Sequence, residues 1–482
     1  MSSSVVPSLE SFAVMRSRAQ SPRVLALAPR EARTPGTLVR GVVATLASLA
    51  LVMVSTAANA ETAPSAGAST SSPFVPTAAL DLTALSKIVL ARSPALQDDL
   101  LRLDLARSDV AQSRLWENPA ADATWGTIPI GETNPKDLAS PLANVPNYSV
   151  GLSYRFLLGK RGPRTDRALA LEKSARASAE ASTRNTALAL AAVLGGAATA
   201  SLRAERLKTL LEESRGSLDV ARARVNAGSG TPLEVDRLEI ELSRVEEQLL
   251  SLESDLASAL AICASFVGTP CKAFPSTDEA AAFLRSFTQR AGGASLDVTR
   301  RPDVRALDAA RDAAQFESSL ASAQAIPDPT FRVGYTYDTF TVSGNQASSL
   351  ALSVSLPLPL VDHGQAQKMA ADAKESRVAA QRARLVDSAR VRVDGLRNVL
   401  ARTLKRQQVI ETQMLPRARA VLKDLERAVS GRLIPVTDLI QARRTLGELL
   451  LQETDALSDA FRASLDLMGE LAIGEIAVGD GS

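Results

Sequence analysis

Three stretches of the chain alternate strictly between apolar and polar residues. Residues 148–156 place tyrosine, valine, leucine and phenylalanine on one face and serine, glycine and arginine on the other. The same alternation recurs in residues 331–338 and 350–358, and more weakly in residues 121–128. A period of two is typical of a β-strand with one apolar and one polar side. The pattern therefore predicts four strands.

The apolar face of these strands carries every tyrosine of the chain: Tyr148, Tyr154, Tyr335 and Tyr337. A transmembrane β-strand needs roughly 9–11 residues, with aromatic side chains at the membrane interfaces. We therefore expect the four tyrosines to face lipid and the opposite-face residues Arg155, Arg332 and Asp338 to face a wet lumen. A half-buried soluble sheet has the same alternation and remains the alternative.

Four strands cannot close a membrane barrel, because single-chain barrels begin at about eight strands. An open sheet edge is not viable in lipid. If the strands cross a membrane, several copies must therefore share one barrel. Two copies would give a barrel of about eight strands, which its own side chains usually fill, so we expect three copies and twelve strands.

Long helical patterns make up most of the remaining chain. One pattern runs without a break from residue 163 to 227, a turn follows at 228–232, and leucines at heptad spacing then continue to residue 260. This order predicts a long helix and an antiparallel return helix. A second long helix is predicted up to residue 430, with its own tip at 431–435.

The second half of the chain repeats the landmarks of the first. Pro94 matches Pro302, Pro119 matches Pro327 and Gly126 matches Gly334, each at the same offset. Fixed spacing of this kind indicates internal duplication. We expect one repeat at 78–268, a linker at 269–300, a second repeat at 301–472 and a tail at 473–482.

The N-terminal region has the pattern of a secretory signal. Arg40 precedes a short apolar run, and Ala58-Asn59-Ala60 follows it. We expect residues 1–60 to be a signal peptide, with an N-terminal membrane anchor as the alternative. Residues 61–77 are rich in Ser, Ala, Thr and Pro, and a disordered lead-in is predicted there.

Composition excludes several classes of function. The formal net charge of +2 gives no electrostatic reason to bind nucleic acid. One histidine and two cysteines leave little for a metal cage or a nucleophile–base pair, so we expect no enzyme, no metal site and no cofactor. Cys263 and Cys271 are eight residues apart, and either a disulfide or two free thiols fits that spacing.

Taken together, residues 78–472 resemble the TolC-like outer-membrane efflux proteins. The features that carry the resemblance are the duplicated strand pair, the long helices and the tips at 224–232 and 427–435. The resemblance implies a mainly helical protein with a membrane β part: a trimeric α-helical barrel joined to a 12-stranded β-barrel. It also implies a passive duct across the outer membrane and the periplasm, which meets a periplasmic adaptor and an inner-membrane pump of the RND type.

Several residues near the tips are candidates for function. The resemblance implies contact with the adaptor at Arg224, Gly228, Arg427 and Gly431, although such residues also serve simply as helix C-caps. Carboxylates facing a narrowed pore would form a gate, for which the candidates are Glu234, Asp236 and Asp438. Solvated acids at a helix N-terminus are the alternative.

The leading hypothesis is therefore the outer-membrane channel of a tripartite efflux system for metal ions or small toxic compounds. Residues 159–164, a Gly-Lys-Arg run before the first long helix, are similar to the heavy-metal branch of the family. A channel for type I protein secretion is one alternative, and a periplasmic coiled-coil adaptor, from a different class, is another. The cargo and the partner pump are not encoded in these patterns.

Overall fold

The computed structural model describes residues 72–126, 147–292, 297–338, 346–430 and 436–471. The predicted signal peptide, the second tip at 431–435 with Gly431, and the C-terminal tail lie outside these residues. The predicted repeat boundaries stay predictions.

The described residues of the first half of the chain form four helices, a single 3₁₀ turn and two strands. Ser93 and Pro94 break the first helical pattern, as expected from the effect of proline on the residue before it. The elements are α1 (Leu82–Arg92), the 3₁₀ turn (Pro94–Leu96), α2 (Gln97–Arg114), β1 (Ala120–Trp125), β2 (Asn147–Arg155), α3 (Arg161–Asn226) and α4 (Pro232–Val267).

The second half follows the same order after one connecting helix. Its elements are α5 (Thr277–Gly292), α6 (Pro302–Gln324), β3 (Thr330–Asp338), β4 (Ser348–Ser355), α7 (Gln365–Val409), a π turn (Ile410–Met414), α8 (Leu415–Ser430) and α9 (Val436–Glu470). The helix α3 contains 66 residues, which corresponds to a length of about 100 Å.

The second long helical column runs to Ser430 as the sequence predicts, but one π turn interrupts its regular α-helical geometry. The π turn at Ile410–Met414 separates α7 from α8, and Pro416 follows directly. Proline has no N–H to donate, and its ring clashes with the carbonyl four residues earlier in a regular helix. A locally wider turn ahead of Pro416 relieves both problems without ending the helix.

The four strands form one antiparallel sheet in the order β1-β2-β3-β4. The central pairing joins the two halves of the chain, with Gly151 of β2 directly opposite Gly334 of β3. β4 ends at Ser355 rather than at residue 358. Pro357 lies in the lost part, and proline cannot supply a ladder hydrogen bond.

The helices pack side by side around α3. Near the tips α4 lies against α3, α3 against α9, and α9 against α7 and α8. Nearer the sheet, α3 separates α2 from α6, which in turn contacts α7. One side of this layer therefore ends at α2 and α4, and the other side ends at α7 and α8.

The main core lies midway along α3, where α1, α5 and α9 converge. Phe283, Phe287 and Phe461 are almost completely buried there, with ring centroids 5–6 Å apart. α3 contributes mainly alanine and leucine to this core. Small side chains allow the helices to approach closely at this point.

Within the described ranges, two helices contain an 18-residue stretch apolar enough to cross a membrane by composition alone, α3 and α4. In α3 that stretch is 56% buried inside the protein, so it serves as a core segment. In α4 it is only 11% buried. The part of the chain that the structure describes therefore leaves this apolar stretch of α4 largely uncovered in a single copy.

Candidate functional site

The apolar face of the sheet carries two rows of aromatic side chains. At one end Trp125, Tyr148 and Tyr337 are opposite one another across three strands. At the other end Tyr154 pairs with Phe331. Six residues separate Tyr148 from Tyr154 along β2, a distance of about 20 Å.

Between these rows the apolar face consists of exposed aliphatic residues. Val150, Leu152, Val333 and Leu352 are each about half exposed or more. Aliphatic side chains between two aromatic rows are the surface pattern of a membrane β-barrel, whose apolar band is about 25 Å tall. Tyr335 lies on the same face, where its hydroxyl is 2.9 Å from that of Ser348.

The opposite face of the sheet carries paired charges. The Arg332 guanidinium lies over Gly151 and Gly334 and donates to Asp122 of β1, with an Nε–Oδ1 distance of 3.0 Å. Arg155 forms a bidentate ion pair with Glu117 at 2.5 and 2.8 Å. A Cβ added at Gly151 would lie 2.7 Å from Arg332 Nε, so the glycine is needed for this arginine to lie flat. Arg155 and Arg332 are two of the three residues that the sequence analysis expects to face the lumen.

Both outer strands of the sheet end in an open edge. Among the described residues, β1 pairs only with β2, and β4 pairs only with β3. Every residue of β4 is exposed. The outer N–H and C=O groups of such strands are available to pair with another strand.

The basic run at 159–164 joins the sheet to the helices. The Lys160 ammonium is 2.6 Å from the Asp328 carboxylate, and both side chains are nearly buried. Arg161 stacks on Trp116 at 4.3 Å and donates to the carbonyl of Arg114. Arg164 donates to the carbonyl of Gln112.

The two arginines of this run therefore satisfy carbonyls at the C-terminus of α2, which lack partners inside that helix. Burial alone would raise the pKa of Asp328, but the hydrogen bonds from Lys160 and from the Leu158 N–H outweigh it and hold that pKa below its ordinary value. Each base of the run thus has a structural partner at the junction.

The first tip brings together two residues that the sequence assigned to different roles. Arg224, a candidate for adaptor contact, lies 3.6 Å from Glu234, a candidate for the gate. Arg224 also donates to the Ser229 carbonyl, and Gly228 adopts the left-handed conformation with φ +72°. The turn is thus held by Arg224 and depends on a residue that tolerates positive φ.

The other tip candidates lie apart from this pair. Asp236 and Asp438 are exposed near the N-termini of α4 and α9. Arg427 is exposed and lies 3.4 Å from Asp424. Among the described residues, no group of His, Cys, Asp and Glu has the arrangement of a metal site.

Cys263 and Cys271 are joined by a disulfide. The bridge links the end of α4 to the following loop, where residue Phe74 forms a β-bridge with Cys271. Its backbone exchanges hydrogen bonds with Pro270 and Lys272 at 2.8 and 2.9 Å. The disulfide therefore anchors the point where the N-terminal segment meets α4.

A buried charged cluster was not predicted from the sequence. Arg184 of α3 is 2% exposed and donates to the carbonyls of Met468, Gly469 and Leu471 at the end of α9. Burial lowers its pKa to about 10, and the neighbouring Arg301 adds to that effect.

Arg301 in turn holds the carboxylates of Asp303 and Glu470, each at 2.7 Å. A sequence signal for this cluster existed. Arg184 falls at helical spacing among the small residues of the buried face of α3, where a charge requires partners.

Comparison with known proteins adds three findings. Residues 85–269 match the sequence model of a family described as outer membrane efflux protein. The chain is 28% identical over 241 residues to the pyoverdine export outer membrane protein OpmQ of Pseudomonas aeruginosa, in an alignment that covers 47% of this chain and 49% of OpmQ. The match thus spans about half of that relative.

Solved channel structures share the fold. The structure of CusC covers 84% of this chain and 99% of its own, with a TM-score of 0.65 and 13% identity. The open state of the Neisseria gonorrhoeae MtrE outer membrane channel covers 81% of this chain and 88% of its own, with a TM-score of 0.63 and 16% identity. At such identities the likeness establishes the fold.

Proposed function

Because the chain belongs to the TolC-like outer-membrane efflux proteins, we propose that it is the channel subunit of a tripartite efflux system. It is an outer-membrane protein with a periplasmic part. In the proposal, three copies form one passive duct, which is not an enzyme. The driving energy comes from an inner-membrane RND pump that is coupled through a periplasmic adaptor.

The observation that carries the proposal is a lipid-compatible sheet with two open edges. Its apolar face shows aromatic rows at both ends, while its other face carries ion pairs such as Arg332–Asp122. β4 and the next copy's β1 are antiparallel in a head-to-tail ring, since every neighbouring pair in the sheet is antiparallel. Three copies then close twelve strands with no free edge in lipid.

We propose small molecules as the cargo. OpmQ is described as a pyoverdine exporter, which supports a small organic compound. The basic run at 159–164 lends no support to a metal cargo, because Lys160, Arg161 and Arg164 already have partners at the junction. Growth inhibition by a panel of organic compounds and metal salts, with and without the gene, will separate the two cargo classes.

The test of the channel assignment is the mass of the protein extracted from outer membranes, measured by light scattering with correction for bound detergent. We expect a trimer that inserts into planar bilayers and conducts ions. A protein that leaves the membrane in a salt or alkaline wash, as a monomer or dimer, would contradict the proposal and favour the periplasmic adaptor. Copurification with a secreted polypeptide would favour type I secretion.

The tip residues keep their proposed roles within this function. We propose that Arg427 and Gly431 contact the adaptor, together with Arg224 and Gly228, and that Glu234, Asp236 and Asp438 line the gate. Arg427→Glu changes an exposed side chain, whereas Arg224→Glu also breaks the turn. Adaptor binding should therefore fall in both variants, with loss of stability only in the second.

The gate proposal has a separate readout. Neutralising the exposed carboxylates in the variant Asp236→Asn/Asp438→Asn should reduce the cation preference of single trimers in planar bilayers. Unchanged selectivity would place these acids outside the pore. Glu213→Gln on α3 is the matched control, because Glu213 is also exposed.

A further inference from the structure

The helix α4 has a face with no neighbour among the described residues of a single copy. Its buried side consists of leucines and Val245, which pack against α3. On the other side Ile240 is 71% exposed and Leu250 is 67% exposed. Asp236 and Glu247 lie at helical spacing on the same face and are exposed.

The charge of α4 is strongly one-sided. It contains eight acidic and two basic residues. Four of the acids form ion pairs within the same copy: Arg224–Glu234, Arg222–Glu239, Arg444–Glu241 and Arg215–Glu246. Asp236 and Glu247 form no ion pair among the described residues. The free face of α4 is therefore acidic as well as apolar.

The opposite side of the helical layer has the complementary character. α7 and α8 together contain fifteen basic and six acidic residues. On α8, Arg417 and Lys423 are exposed and form no ion pair in the part of the chain that the structure describes. Val421, one turn after Arg417, is 54% exposed.

The acidic and basic faces occur at the same level of the layer. Neighbouring residues of α9 mark that level: Arg444 pairs with Glu241 of α4, and Arg443 pairs with Glu426 of α8. α4 runs away from the tip and α8 runs toward it. Glu247, six residues or about 9 Å beyond Glu241, is therefore level with residue 420, between Arg417 and Lys423.

We propose that the free face of α4 of one copy docks on α8 of the next copy, with Glu247 placed between Arg417 and Lys423. Rotation about an axis parallel to the helices does not change the height of a residue along that axis. Residues at the same height in one copy are therefore also at the same height in neighbouring copies of a ring. Ile240 and Leu250 are covered by the contact, and the opposite charges select the head-to-tail arrangement. This inference rests on the proposed trimer and adds what holds its periplasmic half together.

Charge reversal tests the contact in the full-length protein purified in detergent. Glu247→Lys places a like charge between two bases, and we expect the trimer to dissociate at a lower temperature and the trimer fraction to fall several-fold on dilution. Adding Arg417→Glu and Lys423→Glu to Glu247→Lys should restore the trimer. The wild-type dissociation temperature should fall as sodium chloride is raised, because salt screens the pairs.

The control is Glu213→Lys, which reverses an exposed acid on α3, away from both sides of the layer. It should leave the trimer unchanged. Helical circular dichroism of each variant shows whether a loss of trimer is a loss of folding, and rescue by the triple variant excludes that explanation directly.

The outcomes separate this inference from the proposed function. If the wild type is not a trimer, the channel assignment fails and this contact fails with it. If the wild type is a trimer and Glu247→Lys behaves like Glu213→Lys, only this contact is refuted. If the trimer survives Glu247→Lys but adaptor binding is lost, the α4 face belongs to the adaptor, and the contact between copies is again refuted.

Discussion

Two adjacent glycines of α3 should respond oppositely to the same substitution. Gly195 faces the aromatic core, where a Cβ would lie 2.6 Å from Cζ of Phe461 and closer still to its Cε1. An ordinary carbon–carbon contact is about 3.5–4.0 Å. Phe461 cannot easily retreat, because it is 2% exposed and packs on Phe283 and Phe287. Gly196 has no described atom within 4 Å of the same Cβ.

The magnitudes follow from these two environments. Alanine is favoured over glycine in a helix by about 1 kcal/mol, so Gly196→Ala should raise stability by up to about that amount. Gly195→Ala has the same gain but overpacks the core, which costs about 1–3 kcal/mol or more. The two variants share the helix gain and differ by the overpacking cost, so we expect Gly195→Ala to be about 1–3 kcal/mol less stable than Gly196→Ala, and less stable than wild type.

Thermal unfolding followed by helical circular dichroism gives the comparison directly. Gly216→Ala, also on α3 with open space at the Cβ, is a second control and should behave like Gly196→Ala. If Gly195→Ala melts with or above Gly196→Ala, Phe461 does not pack against α3 at this point. The described arrangement of α3 and α9 in the core would then be wrong.

Three further predictions concern the junction and the core. Replacing Cys263 and Cys271 by serine should cost about 2–3 kcal/mol, and the melting temperature should no longer respond to a reductant. Asp328→Asn should destabilise the protein at neutral pH. Because the pKa of Asp328 is depressed in the folded state, its pair with Lys160 contributes fully to stability above about pH 4 and is lost at lower pH. The melting temperatures of the variant and the wild type should therefore converge as the pH is lowered. Arg184→Met should lower stability by at least about 2 kcal/mol in urea or thermal unfolding, since it leaves buried carbonyls of α9 without donors; an unchanged melt would mean that water replaces the guanidinium.

Local patterns were sufficient to predict the elements of this fold. The alternation in residues 148–156 and 331–338 predicted β2 and β3 to within one residue at each end, because strand faces differ in polarity with a fixed period. The long helix α3 and its return α4 were likewise predicted from periodicity and from the turn at 228–232. In these regions the local preference and the tertiary environment agree.

Long-range pairings could not be predicted in the same way. Arg332 reaches Asp122 across 210 residues of sequence, over two glycines that only the strand register brings together. Arg184 caps a helix that ends almost 300 residues later. Neither partner is marked by spacing, because a side chain's partner across a fold depends on how distant elements pack. The π turn before Pro416 was not predicted either, because whether a proline ends, kinks or widens a helix depends on the surrounding packing.

The net charge of the chain conceals how its charges are distributed over the structure. A formal net charge of +2 indicates no strongly charged surface. Yet α4 is strongly acidic while α7 and α8 are strongly basic, and the fold puts them on opposite sides of one helical layer. Opposite charges on opposite sides cancel in the sum but not in space. In the proposed ring they attract the complementary sides of neighbouring copies and disfavour contact between identical sides. A near-neutral composition is thus compatible with the proposed ring, in which each copy brings both members of the charged contact.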